Sequence, residues 1–203
     1  MKRHRLTTVL AAAAMGLSLV LALATACASG VPDGSIKELS FTPIDGETLI
    51  VTSVGGEAVS VGNVSAICPE GWHLIPRIDY FSDEPDATDP NHLYLAKGSN
   101  DGYASVPFVS LMYYGEGYDF GMTIGEEKSY FVESIGGLTD VAFELDGEVW
   151  EGFIFPIGAT DEEYYLRNRG NDVCALGIRS KSDSGEIALT DDDVLTIIAS
   201  LQY

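Results

Sequence analysis

The stretch ICPEGWHLIP, Ile67 to Pro76, sets a cysteine, two prolines, a glycine, a tryptophan and a histidine within ten residues. It admits three readings: a metal or redox site, the opening of a sugar-binding module, or a tight corner between two strands. Backbone chemistry favours the corner. Pro69 has a fixed φ and no N–H, so it ends the preceding strand. Gly71 permits the turn, and Trp72 drops its indole into a core as the next strand begins.

The runs on either side are short and rich in Val, Ile, Tyr and Phe. ETLIVTSV and EAVSVGNVSAI flank Gly55-Gly56, a pair suited to a hairpin turn because glycine takes positive φ at little cost. HLIPRIDYF reads as extended, with Pro76 at an edge or bend. SDEPDATDPN is a loop, HLYLAKG a strand and SNDGYASVP a second loop. FVSLMYYG, from Phe108 to Gly115, is a strongly apolar strand expected near the centre of a sheet.

TIGEEKSYFVESIGG changes period. Ile124, Phe131 and Ile135 recur near helical spacing, Glu126 and Glu127 suit a helix start, and Gly136-Gly137 closes the run. TDVAFELDGEVWEGFIFPI reads as a hairpin about Asp146-Gly147, with Val141, Phe143 and Leu145 alternating against polar or small neighbours. EEYYLRN and VCALGIRSK make two more strands about a turn at Gly170-Asn171. Cys174, Leu176 and Ile178 share one face of the second; Arg179 and Lys181 take the other.

The chain closes on LTDDDVLTIIASLQY. Thr190 is the expected N-cap, with Asp193 three residues on. Val194, Leu195, Ile197, Ile198 and Leu201 form an apolar stripe that must pack on something. A sheet of short antiparallel strands is the surface on offer. The expected class is therefore α+β: an antiparallel β-sheet flanked by helices, with the C-terminal helix packed on it.

The N-terminus points outside the cytoplasm. Lys2, Arg3 and Arg5 precede an uncharged apolar run from Leu6 to Leu23, then Ala24-Thr25-Ala26 and Cys27. Small residues leading into a cysteine predict an export signal over 1–26, cut before a diacylated Cys27. The pattern resembles the bacterial lipobox, with Ala24 where leucine is usual. A retained membrane anchor is the alternative, since about 18–20 apolar residues span a bilayer. Residues 27–43 read as a lipidated tether and 44–203 as a single domain.

Charge narrows the partners. The chain carries 31 acidic and 11 basic residues, a net charge of −20. Loss of the three basic residues at the start takes it to −23. Such a surface repels phosphate backbones and excludes nucleic acid as a natural partner. It also repels anionic lipid, which leaves the acyl chains on Cys27 as the expected attachment to a membrane. With Cys27 acylated, Cys68 and Cys174 are left in an oxidising compartment, where one disulfide is expected; two buried thiols are the alternative.

The order of segments resembles the Mog1/PsbP-like superfamily, which includes bacterial lipoproteins of unassigned function. Pro69, Gly71 and Trp72 match its Pro-x-Gly-Trp corner, and IIASLQY, with Ser200, matches its closing helix. The resemblance covers roughly Glu57 to Tyr203. It implies an antiparallel sheet flanked by helices, no shared active site, and a role in binding or assembly. Cys68 and Cys174 are not part of that pattern. CPEGWH also opens modules related to C-type lectin-like folds, but LIPRIDYF is strand-like where those begin a helix.

A search for chemistry is sparse. His73 and His92 are the histidines after the signal, too few with Cys68 for a closed zinc site. Asp83, Glu84, Asp86 and Asp89 form an acidic loop without EF-hand spacing, so a solvated loop is expected over a Ca²⁺ site. There is no Gly-x-Ser-x-Gly or phosphate loop. Tyr113, Tyr114, Tyr118, Tyr164, Tyr165 and the two tryptophans either line a groove or pack in the sheet. The expectation is a non-enzymatic lipoprotein without cofactor or metal that binds another extracytoplasmic protein; a small-ligand or glycan-binding module is the alternative.

Overall fold

The computed structural model describes residues 32, 34–98, 106–170 and 173–203. The expected signal over 1–26, Cys27, Asn171 and most of the loop after Gly98 lie outside the described residues. The elements in chain order are β1 (Glu38–Pro43), β2 (Leu49–Thr52), β3 (Gly56–Ser60), β4 (Ser65–Pro69), β5 (Trp72–Leu74), β6 (His92–Lys97) and β7 (Phe108–Tyr113). There follow α1 (Ile124–Ser134), β8 (Thr139–Leu145), β9 (Glu148–Ile157), β10 (Asp161–Asn168), β11 (Cys174–Ser182), β12 (Gly185–Glu186) and α2 (Asp192–Ala199).

Asp146 (φ 50°) and Gly147 (φ 90°) both enter the left-handed region and turn β8 back along β9. This is the backbone a tight two-residue hairpin requires. Further antiparallel pairings extend it to a ten-stranded sheet in the order β2-β1-β8-β9-β10-β11-β7-β6-β5, with β12 beside β11. One face carries the core: Phe41, Phe143, Leu145, Trp150, Leu166, Leu176, Ile178, Leu111 and Leu95 are all essentially inaccessible. The two-stranded β3–β4 sheet and the apolar stripe of α2 join this cluster, with Val194, Leu195, Ile197 and Ile198 buried. Helix α1 packs elsewhere, placing Phe131 against Phe153, Phe155 and Tyr165. An α+β fold with a large antiparallel sheet and two flanking helices is thus the observed class.

Several finer expectations differ. The spacer expected to run to Pro43 ends earlier, because Glu38–Pro43 is β1 and sits between β2 and β8. Leu39 and Phe41 alternate into the core, and Phe41 meets the Phe143 ring at 5.4 Å. Gly55-Gly56 does not turn a hairpin. β2 pairs with β1 and β3 pairs with β4, and neither glycine has the positive φ such a turn demands. The chain passes between sheets there because Val54 donates its N–H to Thr196 Oγ1 on α2 at 2.8 Å. Gly56 serves close approach instead, since a Cβ would overlap the Cys68 carbonyl.

The expected N-cap of the closing helix also shifts, from Thr190 to Asp191, whose carboxylate takes the Ala188 N–H rather than a helix amide. Helix α1 is capped by a reciprocal Thr123–Glu126 box, and Ile135, expected on its apolar stripe, is its exposed C-cap.

The disulfide expectation is overturned: Cys68 and Cys174 are both buried, and no disulfide joins them. Cys68 lies on β4 in the small sheet and Cys174 on β11 in the large one, each serving as a small apolar residue of the core. Burial, then the nearby Glu57 carboxylate, push the Cys68 thiol above its ordinary pKa. Cys174 lies beside Tyr203, whose hydroxyl is held well above the usual phenol range first by burial and then by that thiol.

Denaturation without reductant, on a chain carrying Cys27→Ala, should therefore expose two thiols to alkylation, counted by mass spectrometry. A second prediction concerns Gly152, which faces Leu166 across the β9–β10 ladder. A Cβ there would overlap the Tyr165 carbonyl. Gly152→Ala should cost about 3 kcal/mol in urea unfolding, at the high end for overpacking, whereas Gly55→Ala should cost little, because nothing lies near that position and its φ is not in the left-handed region.

Candidate functional site

The pleat of β10 sends Tyr164, Leu166 and Asn168 toward one face and Glu163, Tyr165 and Arg167 toward the other. Register then builds rows across this second face. Arg167 lies between Glu151 on β9 and Ala175 on β11, followed by Met112 on β7 and His92 on β6. Tyr165 lies between Phe153 and Gly177, followed by Ser110 and Tyr94. Glu163 lies between Phe155 and Arg179, followed by Phe108 and Ala96. A face built of aromatic and charged side chains is unlike the mainly apolar face behind it.

Arg167 organises one end. It is only 5% exposed. Its guanidinium lies 4.2 Å from the centroid of the Phe120 ring, and Nη2 donates to the Met122 carbonyl at 3.0 Å. Glu127, in the first turn of α1, lies 3.5 Å from Nη1 and accepts from the Tyr165 hydroxyl at 3.2 Å. Burial first, then the Glu127 carboxylate, raise the Tyr165 hydroxyl far above the phenol range, so it stays a donor at every working pH. One buried cation thus clamps the 114–122 loop and the start of α1 to the sheet.

That clamp presents aromatics to solvent. Tyr114 and Tyr118 stack at 4.5 Å, with Phe120 edge-on to both. Tyr114, Tyr118 and Met122 remain exposed, each by more than 40%. A cleft of about 460 Å³ opens beside them, lined by the 119–124 segment together with Glu126, Glu151 and Arg167.

At the other end, Arg179 donates to Glu163 Oε2 at 3.2 Å and lies 3.7 Å from Asp161. Its guanidinium also sits 5.1 Å from the Phe108 centroid; Phe108 packs on Tyr94, and Arg77 caps Tyr94 at 4.8 Å. Burial pushes the Glu163 carboxyl up, and Arg179 offsets part of that. Burial and then Arg77 lower His92, so it is neutral at pH 7.

The Pro69-Gly71-Trp72 stretch lies on the opposite side of the molecule. β4 ends at Pro69, Gly71 sits at φ 82°, and β5 begins at Trp72, whose ring is buried. The Trp72 indole N–H donates to Asp193 Oδ2 at 2.8 Å, and Lys97 pairs with the same oxygen at 2.7 Å. Burial works to raise the Asp193 carboxyl, but the Lys97 and Trp72 bonds outweigh it and hold the carboxyl below the ordinary range. An open depression of about 800 Å³ lies alongside, bounded by Val54, Pro69, Glu70 and the 190–193 segment.

Of the candidate residues, Tyr114 and Tyr118 come together, and Tyr165 joins Arg167. Tyr113 turns to Tyr203 at 5.8 Å, and Tyr164 packs against the core. His73, on β5, pairs with Ala96. Among the described residues no group of three His, Cys, Asp or Glu side chains is placed to hold a metal ion. The sequence reading missed Arg167, Glu127, Phe120 and Lys97. The alternation in EEYYLRN placed Arg167 on a face with Tyr165, but the loop that meets it is distant in sequence. No protein-family model matches the chain, and no curated protein or solved structure shows significant similarity to it.

The Asp193 latch has a pH signature. Its depressed pKa contributes stability that is present above the unfolded value of about 3.9 and is lost as pH falls through the lower folded value. Asp193→Asn should cost about 1–3 kcal/mol at pH 7. The gap from the wild type should narrow as pH falls below about 4, as read by urea unfolding at both pH values.

Proposed function

We propose that the chain is an extracytoplasmic lipoprotein of the Mog1/PsbP-like kind, held to a membrane by acyl chains on Cys27, whose domain binds a protein partner and performs no chemistry. The anchor is supported by the basic start, the apolar run and the small residues before Cys27. The Mog1/PsbP-like assignment is supported by the antiparallel sheet, the middle helix and the closing helix around Ser200.

The observation that carries the binding role is the exposed Tyr114–Tyr118–Met122 patch held by buried Arg167. Tyrosine, methionine and arginine are side chains enriched at protein interfaces, and tyrosine offers a large contact area with few rotors to freeze. Here the two tyrosine rings are fixed in advance by stacking on each other and by the Phe120 ring, which rests on the Arg167 guanidinium, and this lowers the ordering cost of association. A glycan is the second reading, favoured by the stacked Tyr114–Tyr118 pair beside the Asp119 and Glu151 carboxylates of the cleft.

Cys27→Ala should release the chain from sedimenting membranes; continued sedimentation would indicate a retained apolar segment. The domain with Tyr114→Ala and Tyr118→Ala should recover its partner from envelope extracts about tenfold less well than the wild type, a loss of about 1.4 kcal/mol. Equal recovery would remove the patch from the interface. Specific sugar retention on a glycan array, abolished by the same pair, would favour the second reading.

A further inference from the structure

Residues 77–89 form an arm between β5 and β6. Ile78 bridges Thr88, Asp79 N–H donates to the Ala87 carbonyl at 2.7 Å, and Asp89 N–H donates to the Arg77 carbonyl at 2.8 Å. Its tip is tied by short-range bonds. Phe81 N–H donates to Asp79 Oδ1 at 2.9 Å, Glu84 N–H to Ser82 Oγ at 3.1 Å, and Asp86 takes a left-handed φ of 60°. Its base is bolted to the β3–β4 turn: Asn63 N–H donates to the Pro90 carbonyl at 2.8 Å, and Asn63 Nδ2 to Asn91 Oδ1 at 2.7 Å. The arm therefore has a defined shape.

At its tip Tyr80 is 86% exposed and Phe81 98% exposed, with Ile78 half exposed behind them. Two adjacent aromatic rings left in water on a braced support are an anomaly for a chain that buries its other phenylalanines at least in part. Asp79, Asp83, Glu84 and Asp86 flank them in the arm, while Asp89 sits at its base, where Oδ1 accepts from the Asn91 N–H. The one cation of the arm, Arg77, is turned away onto Tyr94.

We infer that this arm is a docking knob for a partner protein bearing an apolar pocket rimmed by lysine and arginine. Tyr80 and Phe81 fill the pocket, and the surrounding carboxylates meet the cationic rim. Charge selects this occupant. An anionic bilayer repels the four carboxylates that flank the tip, and a second copy of the chain brings its own net charge of −20. The inference rests on the protein-binding reading and adds a second contact point, away from Tyr118, with a stated partner chemistry.

The test uses the full-length protein in its own membrane, with the photoreactive residue p-benzoylphenylalanine in place of Phe81. Thermal unfolding should match the wild type, because the position touches nothing that the fold needs. The expected result is one discrete protein adduct, identified by peptide mass, whose partner presents a basic-rimmed apolar pocket. Adduct yield should fall about tenfold with Asp83→Lys and Glu84→Lys together, and also when salt rises from about 0.05 M to about 0.5 M. Adducts to lipid alone, to another copy of the chain, to nothing, or to a protein whose yield ignores both changes would each overturn the inference. The same probe at Tyr118 separates the two levels. Capture there but not at Phe81 removes only the knob, whereas failure at both removes the protein-binding reading as well.

Discussion

The β9–β10–β11 ladder assigns every side chain of the central sheet to one of two faces, and the rest of the structure follows from that assignment. Leu166 and Leu176 are opposite each other on the core face, with Trp150 buried on the same side. Tyr165 and Arg167 point the other way by simple parity. A slip of β10 by one residue would put the Arg167 guanidinium into the hydrocarbon core and turn Leu166 to the opposite face. Gly152 guards against it, because its missing side chain lets β9 and β10 approach at the Leu166 position.

The core face is finished by polar atoms as much as by apolar ones. Helix α2 supplies its apolar stripe, but two of its polar side chains and its C-cap Ser200 also reach strand or loop groups. Thr196 accepts from Val54, Ser200 from Ile67, and Asp193 from Trp72. Each satisfies a donor that would otherwise be stranded at the boundary between the two sheets, where an unmet donor is costly. The tryptophan corner is thus tied to the other end of the chain by a carboxylate and a lysine, with no covalent bridge.

The opposite face is built for display. Buried Arg167 and half-buried Arg179 each lie against a phenylalanine ring and pair with carboxylates, so the sheet carries its positive charge beneath its aromatics. Above that layer stands the Tyr114–Tyr118 stack, and beyond the β6 side stands the braced arm with Tyr80 and Phe81. The strong acidity of the whole surface means that affinity at either place depends on apolar contact and on a cationic partner.

Local sequence alone determined the α+β class, the Asp146-Gly147 hairpin, the alternation in β8 and β11 and the apolar stripe of α2. These are set by period, turn chemistry and propensity among neighbours, which are written within a few residues of one another. Only the tertiary structure decided that Glu38–Pro43 is a core strand, that Gly55-Gly56 carries the chain between sheets, and that Cys68 and Cys174 are separate thiols. It also decided that Asp193 serves Trp72 and Lys97, and that Arg167 grips Phe120. Each of these depends on which distant group arrives at a given Cβ, and the order of residues along a strand does not carry that distance.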